Sequence, residues 1–216
     1  MDPTKLKEIV IPAGTARLKA IFGLPSEARG VVAFAHGSGS GRLSPRNNFV
    51  AQVLQEAGIA TLLADLLEED EALDRRNVFD INLLANRLLA NVQWLYQFPE
   101  IRGLPLGYFG ASTGAAAALQ GAARNPDGVA AVVSRGGRPD LAMDHLHLVR
   151  SPTLLIVGEE DKSVIPLNEV AYKKLRCPKE MVVVPGATHL FEEPGALERV
   201  ADLARHWFLK CFLPSA

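Results

Sequence analysis

Apolar runs of strand length alternate along this chain with stretches whose apolar positions recur at helical spacing. Residues 6–11 and 16–24 are β-prone and are separated by Pro12-Ala13-Gly14-Thr15, which predicts an antiparallel hairpin. Residues 30–35 are apolar throughout, as a strand buried on both faces would be. Phe49, Val50, Val53, Leu54 and Ala57 then repeat with helical period, behind an N-cap at Ser44 and Pro45 at the first helical position, and Gly58 ends the segment. Residues 59–66 read as a strand and 67–77 as a charged connection. Ile81, Leu84, Ala85, Leu88, Val92 and Leu95 form the stripe of a long helix. Further strands are predicted at 104–109, 129–133, 153–157 and 180–184. Helices are predicted at 115–124, 140–149, 166–175 and 194–213, the last with a stripe of Leu197, Val200, Ala201, Ala204, Trp207 and Phe208.

Strands alternating with helices specify the α/β class: a mostly parallel sheet of about eight strands with helices on both faces and an antiparallel N-terminal hairpin. The 216 residues fit a single domain spanning 1–216. In such sheets function gathers at the carboxyl ends of the strands. The unusual loops, at 36–41, 110–114, 134–138, 158–163 and 185–189, all follow strands.

Composition narrows the chemistry. A net charge of −1 offers no basic surplus for nucleic acid. No apolar run is long enough to span a membrane. Residues 1–7 lack the pattern of a secretory signal, so a cytoplasmic location is expected. Cys177 and Cys211 have no metal or redox spacing and are expected as free thiols. No metal or organic cofactor is implied, and monomer and homodimer both fit.

The loop at Gly110-Ala111-Ser112-Thr113-Gly114 lies between a predicted strand and a predicted helix. A Ser there, with Gly two residues away on either side, fits a nucleophile elbow. A hydroxyl needs a base and a group that orients the base. Of the five His, His189 in Pro185-Gly186-Ala187-Thr188-His189 stands after the last strand and fits the base. His36 opens the Gly-rich loop 36–41 and suits holding that loop. His145 and His147 suit a polar helix face, and His206 a structural place in the terminal helix. Asp161 follows the strand at 153–157 and fits the orienting acid, ahead of Glu159, Glu160 and Asp140.

The order Ser112, Asp161, His189, with each residue on a loop after a strand, resembles the α/β-hydrolase fold. Only 18 residues separate Ser134 from Thr153, too few for a cap domain. That layout resembles the dienelactone-hydrolase-like branch, with Ser112 where dienelactone hydrolases carry Cys. The resemblance implies an oxyanion hole made by the backbone N–H groups of Ser38 and Thr113. It implies a serine hydrolase cleaving a small ester through an acyl-enzyme. Thioesterase, acyltransferase or peptidase chemistry uses the same three residues, and a non-catalytic binding module on a hydrolase shell is a further alternative. Arg46, Arg135 and Arg138 follow strands or open a helix at the functional edge, where they could hold the carboxylate or phosphate of an anionic substrate.

Overall fold

The computed structural model describes residues 4–212. The first three residues and Leu213, the last of the expected terminal helix, lie outside that range. Strands β1 (Lys5–Ala13) and β2 (Ala16–Leu24) form the expected hairpin, paired from Lys5↔Leu24 to Ala13↔Ala16. Gly14 turns it at φ 68°, a backbone region that L-residues with a Cβ avoid. The chain continues through β3 (Val31–Ala35), α1 (Pro45–Glu56) and β4 (Ala60–Ala64). It then runs through the short α2 (Arg75–Val78), the long α3 (Ile81–Leu95), β5 (Leu106–Ala111) and α4 (Thr113–Arg124). It ends with β6 (Ala131–Arg135), β7 (Thr153–Gly158), α5 (Ile165–Lys174), β8 (Lys179–Val184) and α6 (Ala196–Phe212).

The eight strands form one open sheet in the order β1-β2-β4-β3-β5-β6-β7-β8. From β4 to β8 every neighbouring pair is parallel, and β2 joins β4 antiparallel. The central strands are buried on both faces, as their unbroken apolar sequences require. Alternate residues feed two cores. Ala33, Tyr108 and Val132 join the side chains of α3 and α4, while Phe34, Phe109 and Val133 join α1 and α6. Residues 115–118, all Ala, are fully buried, so α4 lies close against the sheet. Phe208 and Phe212 of α6 fill the space that a Cβ would take at Gly107 and Gly30.

Three expectations shift. The helix expected over 140–149 is two separate 3₁₀ turns, Pro139–Ala142 and Leu146–Leu148. Pro139 opens the first turn, and only Leu146 is buried in the second, so no continuous apolar face holds one helix together. The charged connection contains the turn Glu71–Leu73 and α2. Strands β5 and β6 end two residues later than their apolar runs suggest, at Ala111 and Arg135. The later end keeps Arg135 in the sheet, on the face of Val133, and buries it.

Candidate active site

Ser112 sits directly between β5 and α4 at φ 52°, ψ −122°. Backbone strain of this kind costs on the order of 1–3 kcal/mol and persists only where the surroundings enforce it. Here they do. Ser112 N–H donates to the Arg135 carbonyl at 3.1 Å, and the Ser112 carbonyl accepts from the N–H groups of Ala115 and Arg138. Both flanking glycines are required. A Cβ on Gly110 would lie 2.4 Å from Ala115 Cα, and one on Gly114 would lie 2.1 Å from the Ala35 carbonyl oxygen. Thr113 opens α4, so its N–H has no intrahelical acceptor, and the positive end of the helix dipole lies at the elbow.

Asp161 is buried, 7% exposed, in the turn after β7, where its N–H bonds the Gly158 carbonyl. Its Oδ2 lies 2.6 Å from Nδ1 of His189. A carboxylate oxygen only accepts, so Nδ1 carries the hydrogen and Nε2 is left with its lone pair. Ser163 Oγ donates to the other carboxylate oxygen at 3.3 Å. The rival acids are engaged elsewhere. Glu159 accepts from Gly186 N–H, Glu160 pairs with Lys162 at the surface, and Asp140 is clamped by Arg138. His189 and Ser112 border one cavity of about 210 Å³, together with Gly37, Ser38, Ser40, Ser44, Arg46, Asn47 and Arg135. Among the described residues they form no hydrogen bond with each other. A triad hydroxyl and its base often close up only on substrate.

Loop 36–41 is pinned from several sides. His36 Nε2 accepts from Leu66 N–H at 3.0 Å, so its Nδ1 donates to the Gly37 carbonyl at 3.0 Å. Burial lowers the His36 pKa, which keeps the ring in this neutral form. Arg42 binds Asp65 through its N–H and its guanidinium, both at 2.7 Å. Gly37 presses on the elbow, since a Cβ there would lie 2.9 Å from the Cβ of Ser112. The N–H of Ser38 is not free: it donates to Thr113 Oγ1 at 3.0 Å. Nothing in the sequence signals this side-chain contact, because no local pattern pairs residues 75 positions apart. Ser38 and Thr113 line a second cavity, of about 290 Å³, whose apolar wall includes Leu43, Leu67, Val78 and Leu84.

The three arginines separate. Arg46 and Arg135 border the cavity of Ser112. Arg138 does not. Its Nε and Nη2 both bond the Asp140 carboxylate, at 2.9 and 2.8 Å, two positions along its own loop. The remaining His residues lie outside the site, and His206 Nδ1 bonds the Asp202 carbonyl within α6. No helix among the described residues is long and apolar enough to cross a membrane. Both cysteines are free thiols.

Known proteins resemble this chain in sequence and fold. The model of the dienelactone hydrolase family matches residues 18–209. The crystal structure of dienelactone hydrolase from Anabaena variabilis aligns with a TM-score of 0.93 and 52% identity, over 96% of this chain and 98% of that one. Est1E from Butyrivibrio proteoclasticus shares the fold at 18% identity, with a TM-score of 0.81 over 94% of this chain and 98% of its own. Curated relatives from two strains of Mycobacterium tuberculosis are 54% identical over 207 residues, 96% of this chain and 47% of theirs. They are named provisionally as phosphoribosyl transferases. The chain thus spans about half the length of the curated relatives it matches.

Proposed function

Since this chain belongs to the dienelactone hydrolase family and has the α/β-hydrolase fold, we propose that it is a serine hydrolase acting on a small carboxylic ester, with Ser112 as nucleophile. The observation that carries this reading is the 2.6 Å contact of Asp161 with His189 Nδ1, beside a cavity that also exposes the strained Ser112. In that contact Nδ1 is the donor, so His189 Nε2 is the nitrogen left to serve as base.

In this mechanism Ser112 Oγ attacks the ester carbonyl carbon while its proton passes to His189 Nε2. The carbonyl electron pair moves onto oxygen, which the N–H groups of Thr113 and Ser38 receive. The C–O bond then breaks, and the imidazolium proton goes to the departing alkoxide. Water repeats the sequence on the acyl-enzyme, and Asp161 stabilises the imidazolium in both halves. Because Ser38 N–H rests on Thr113 Oγ1, the developing oxyanion must share or displace that hydroxyl. The apolar cavity that Ser38 and Thr113 line suits the hydrocarbon part of the substrate. The transferase name of the longer relatives is not carried over, because it belongs to proteins of about twice this length.

The test is turnover of p-nitrophenyl acetate and butyrate. Ser112→Ala should lower kcat/KM by at least about 10³-fold with an unchanged melting point, since removing a triad member typically costs that much or more. A fluorophosphonate should label the wild type at Ser112. Turnover surviving in Ser112→Ala would overturn the assignment.

A further inference from the structure

Asn168 lies on α5 and is fully buried. Both hydrogens of its amide are used: Nδ2 donates to the Gly137 carbonyl at 3.0 Å and to the Val164 carbonyl at 2.9 Å. Its Oδ1 is buried and has no partner among the described residues. Asn is a poor helix former, and an unpaired buried acceptor is unfavourable. An apolar side chain would pack there without that penalty. A residue that breaks local rules in this way points to what its donors hold.

Its two acceptors belong to the two halves of the site. Val164 closes the turn of the acid: the N–H groups of Val164 and Ile165 donate to the Asp161 carbonyl at 3.0 and 3.2 Å. That turn and the loop of His189 form one piece, since Glu160 N–H donates to the Ala187 carbonyl at 2.9 Å and Asp161 meets His189. Gly137 belongs to the loop after β6, which holds the elbow. The Arg135 carbonyl accepts the Ser112 N–H, and the Arg138 N–H donates to the Ser112 carbonyl, so Ser112 is bonded on both sides. Gly137 is wedged in place, since a Cβ on it would lie 2.0 Å from Ser134 Oγ and 2.7 Å from the Ala115 Cβ of α4. Next to it Gly136 lies against the base, where a Cβ would be 3.1 Å from the His189 carbonyl oxygen. The Asn168 side chain joins the two pieces.

We propose that Asn168 is a positioning residue of the reaction centre. Its amide sets the acid and base, carried as one piece, at the separation from which His189 Nε2 reaches Ser112 Oγ when substrate binds. Ser112 and His189 border one cavity without bonding each other, so turnover depends on how the two pieces are held. The proposal rests on reading Ser112 as the nucleophile.

The experiment separates the joint from the pieces. Asn168→Thr keeps a hydroxyl that bonds back to the Val164 carbonyl, four positions earlier on the helix, and loses the bond to Gly137. Leaving that carbonyl unpaired should lower the melting point by about 2–8 °C. For p-nitrophenyl butyrate kcat should fall about 10- to 100-fold and KM change less than about twofold, as expected for a displacement on the order of 1 Å. Covalent labelling of Ser112 by a fluorophosphonate should slow by a similar factor. The far-downfield proton resonance of the short Asp161–His189 bond, assigned by its loss in His189→Gln, should persist, because acid and base move together. Asn168→Ser should behave alike. Val200→Ala, in the α6 core on the other face of the sheet, is a control that also lowers the melting point and should label at the wild-type rate. Unchanged kcat and labelling in Asn168→Thr overturn the proposal. So does loss of the downfield resonance, which would mean that Asn168 holds Asp161 to His189 instead. An equal loss of labelling in Val200→Ala, or failure of both Asn168 variants to fold, overturns it as well, because the amide then serves stability alone. If Ser112→Ala retains turnover, the nucleophile reading fails and this proposal with it. If Ser112→Ala is inactive and Asn168→Thr is unimpaired, the positioning role alone fails.

Discussion

At Gly114 the elbow, loop 36–41 and strand β3 come within van der Waals distance of one another. A methyl carbon there would strike both the Ala35 and His36 carbonyls, at 2.1 and 2.4 Å. The same closeness lets Thr113 reach across to the Ser38 amide. In the proposed mechanism that hydroxyl holds the Ser38 amide in place until the oxyanion shares or displaces it, which matters because oxyanion donors act through prior alignment. Thr113→Val keeps the shape and removes the acceptor. With a net contribution of about 1 kcal/mol for a neutral hydrogen bond, kcat should fall about fivefold and KM change little. Steady-state kinetics with p-nitrophenyl butyrate decide it. A rise in kcat would instead show that the hydroxyl competes with the oxyanion.

Among the elements, α3 shows how local signals and packing share the work. Its stripe of Ile81, Leu84, Ala85, Leu88, Val92 and Leu95 is buried against the sheet. Its start is set by Asp80, whose Oδ1 accepts the Leu83 N–H at 3.0 Å. Replacing Asp80 by Ala should cost about 1 kcal/mol, the usual value of such a cap. For a chain of this size that lowers the melting point by about 2–4 °C. Calorimetry would measure it, and an unchanged melting point would mean that tertiary packing alone fixes the helix start. Strand β6 makes the opposite case. Its apolar run ends at Val133, yet pairing with β5 and β7 carries the strand on to Arg135. Neighbouring backbones supply hydrogen bonds that the side-chain pattern does not announce.

For the molecule as a whole, folding links the functional edge to pH through His36. Its neutral ring joins loop 36–41 to the end of β4, and burial lowers its pKa from the ordinary 6.5. The unfolded chain therefore binds a proton that the folded chain resists. Stability from this group is fully present above about pH 7, declines as pH falls through 6.5, and levels off below the lowered folded value. Denaturant titrations between pH 7.5 and 5 should show that decline in the wild type. They should show a shallower one in His36→Gln, which cannot take up the proton. Equal slopes would assign the pH dependence to other groups.

The order of strands and helices was legible from hydrophobic spacing, because burial on one face or two leaves a periodic mark on the sequence. So were Ser112, Asp161 and His189 as candidates, since each lies on a loop after a strand and the topology of a parallel sheet sends such loops to one edge. The lone arginine pattern was not enough: Arg135 and Arg138 stand three positions apart, but one enters the cavity and the other is tied to Asp140. Nor could spacing show that Ser38 N–H meets Thr113, or that Asn168 holds the carbonyl of Gly137. Those outcomes depend on which side chains from distant segments compete for the same small volume. Local sequence fixes where a side chain starts, and only the assembled packing fixes what it meets.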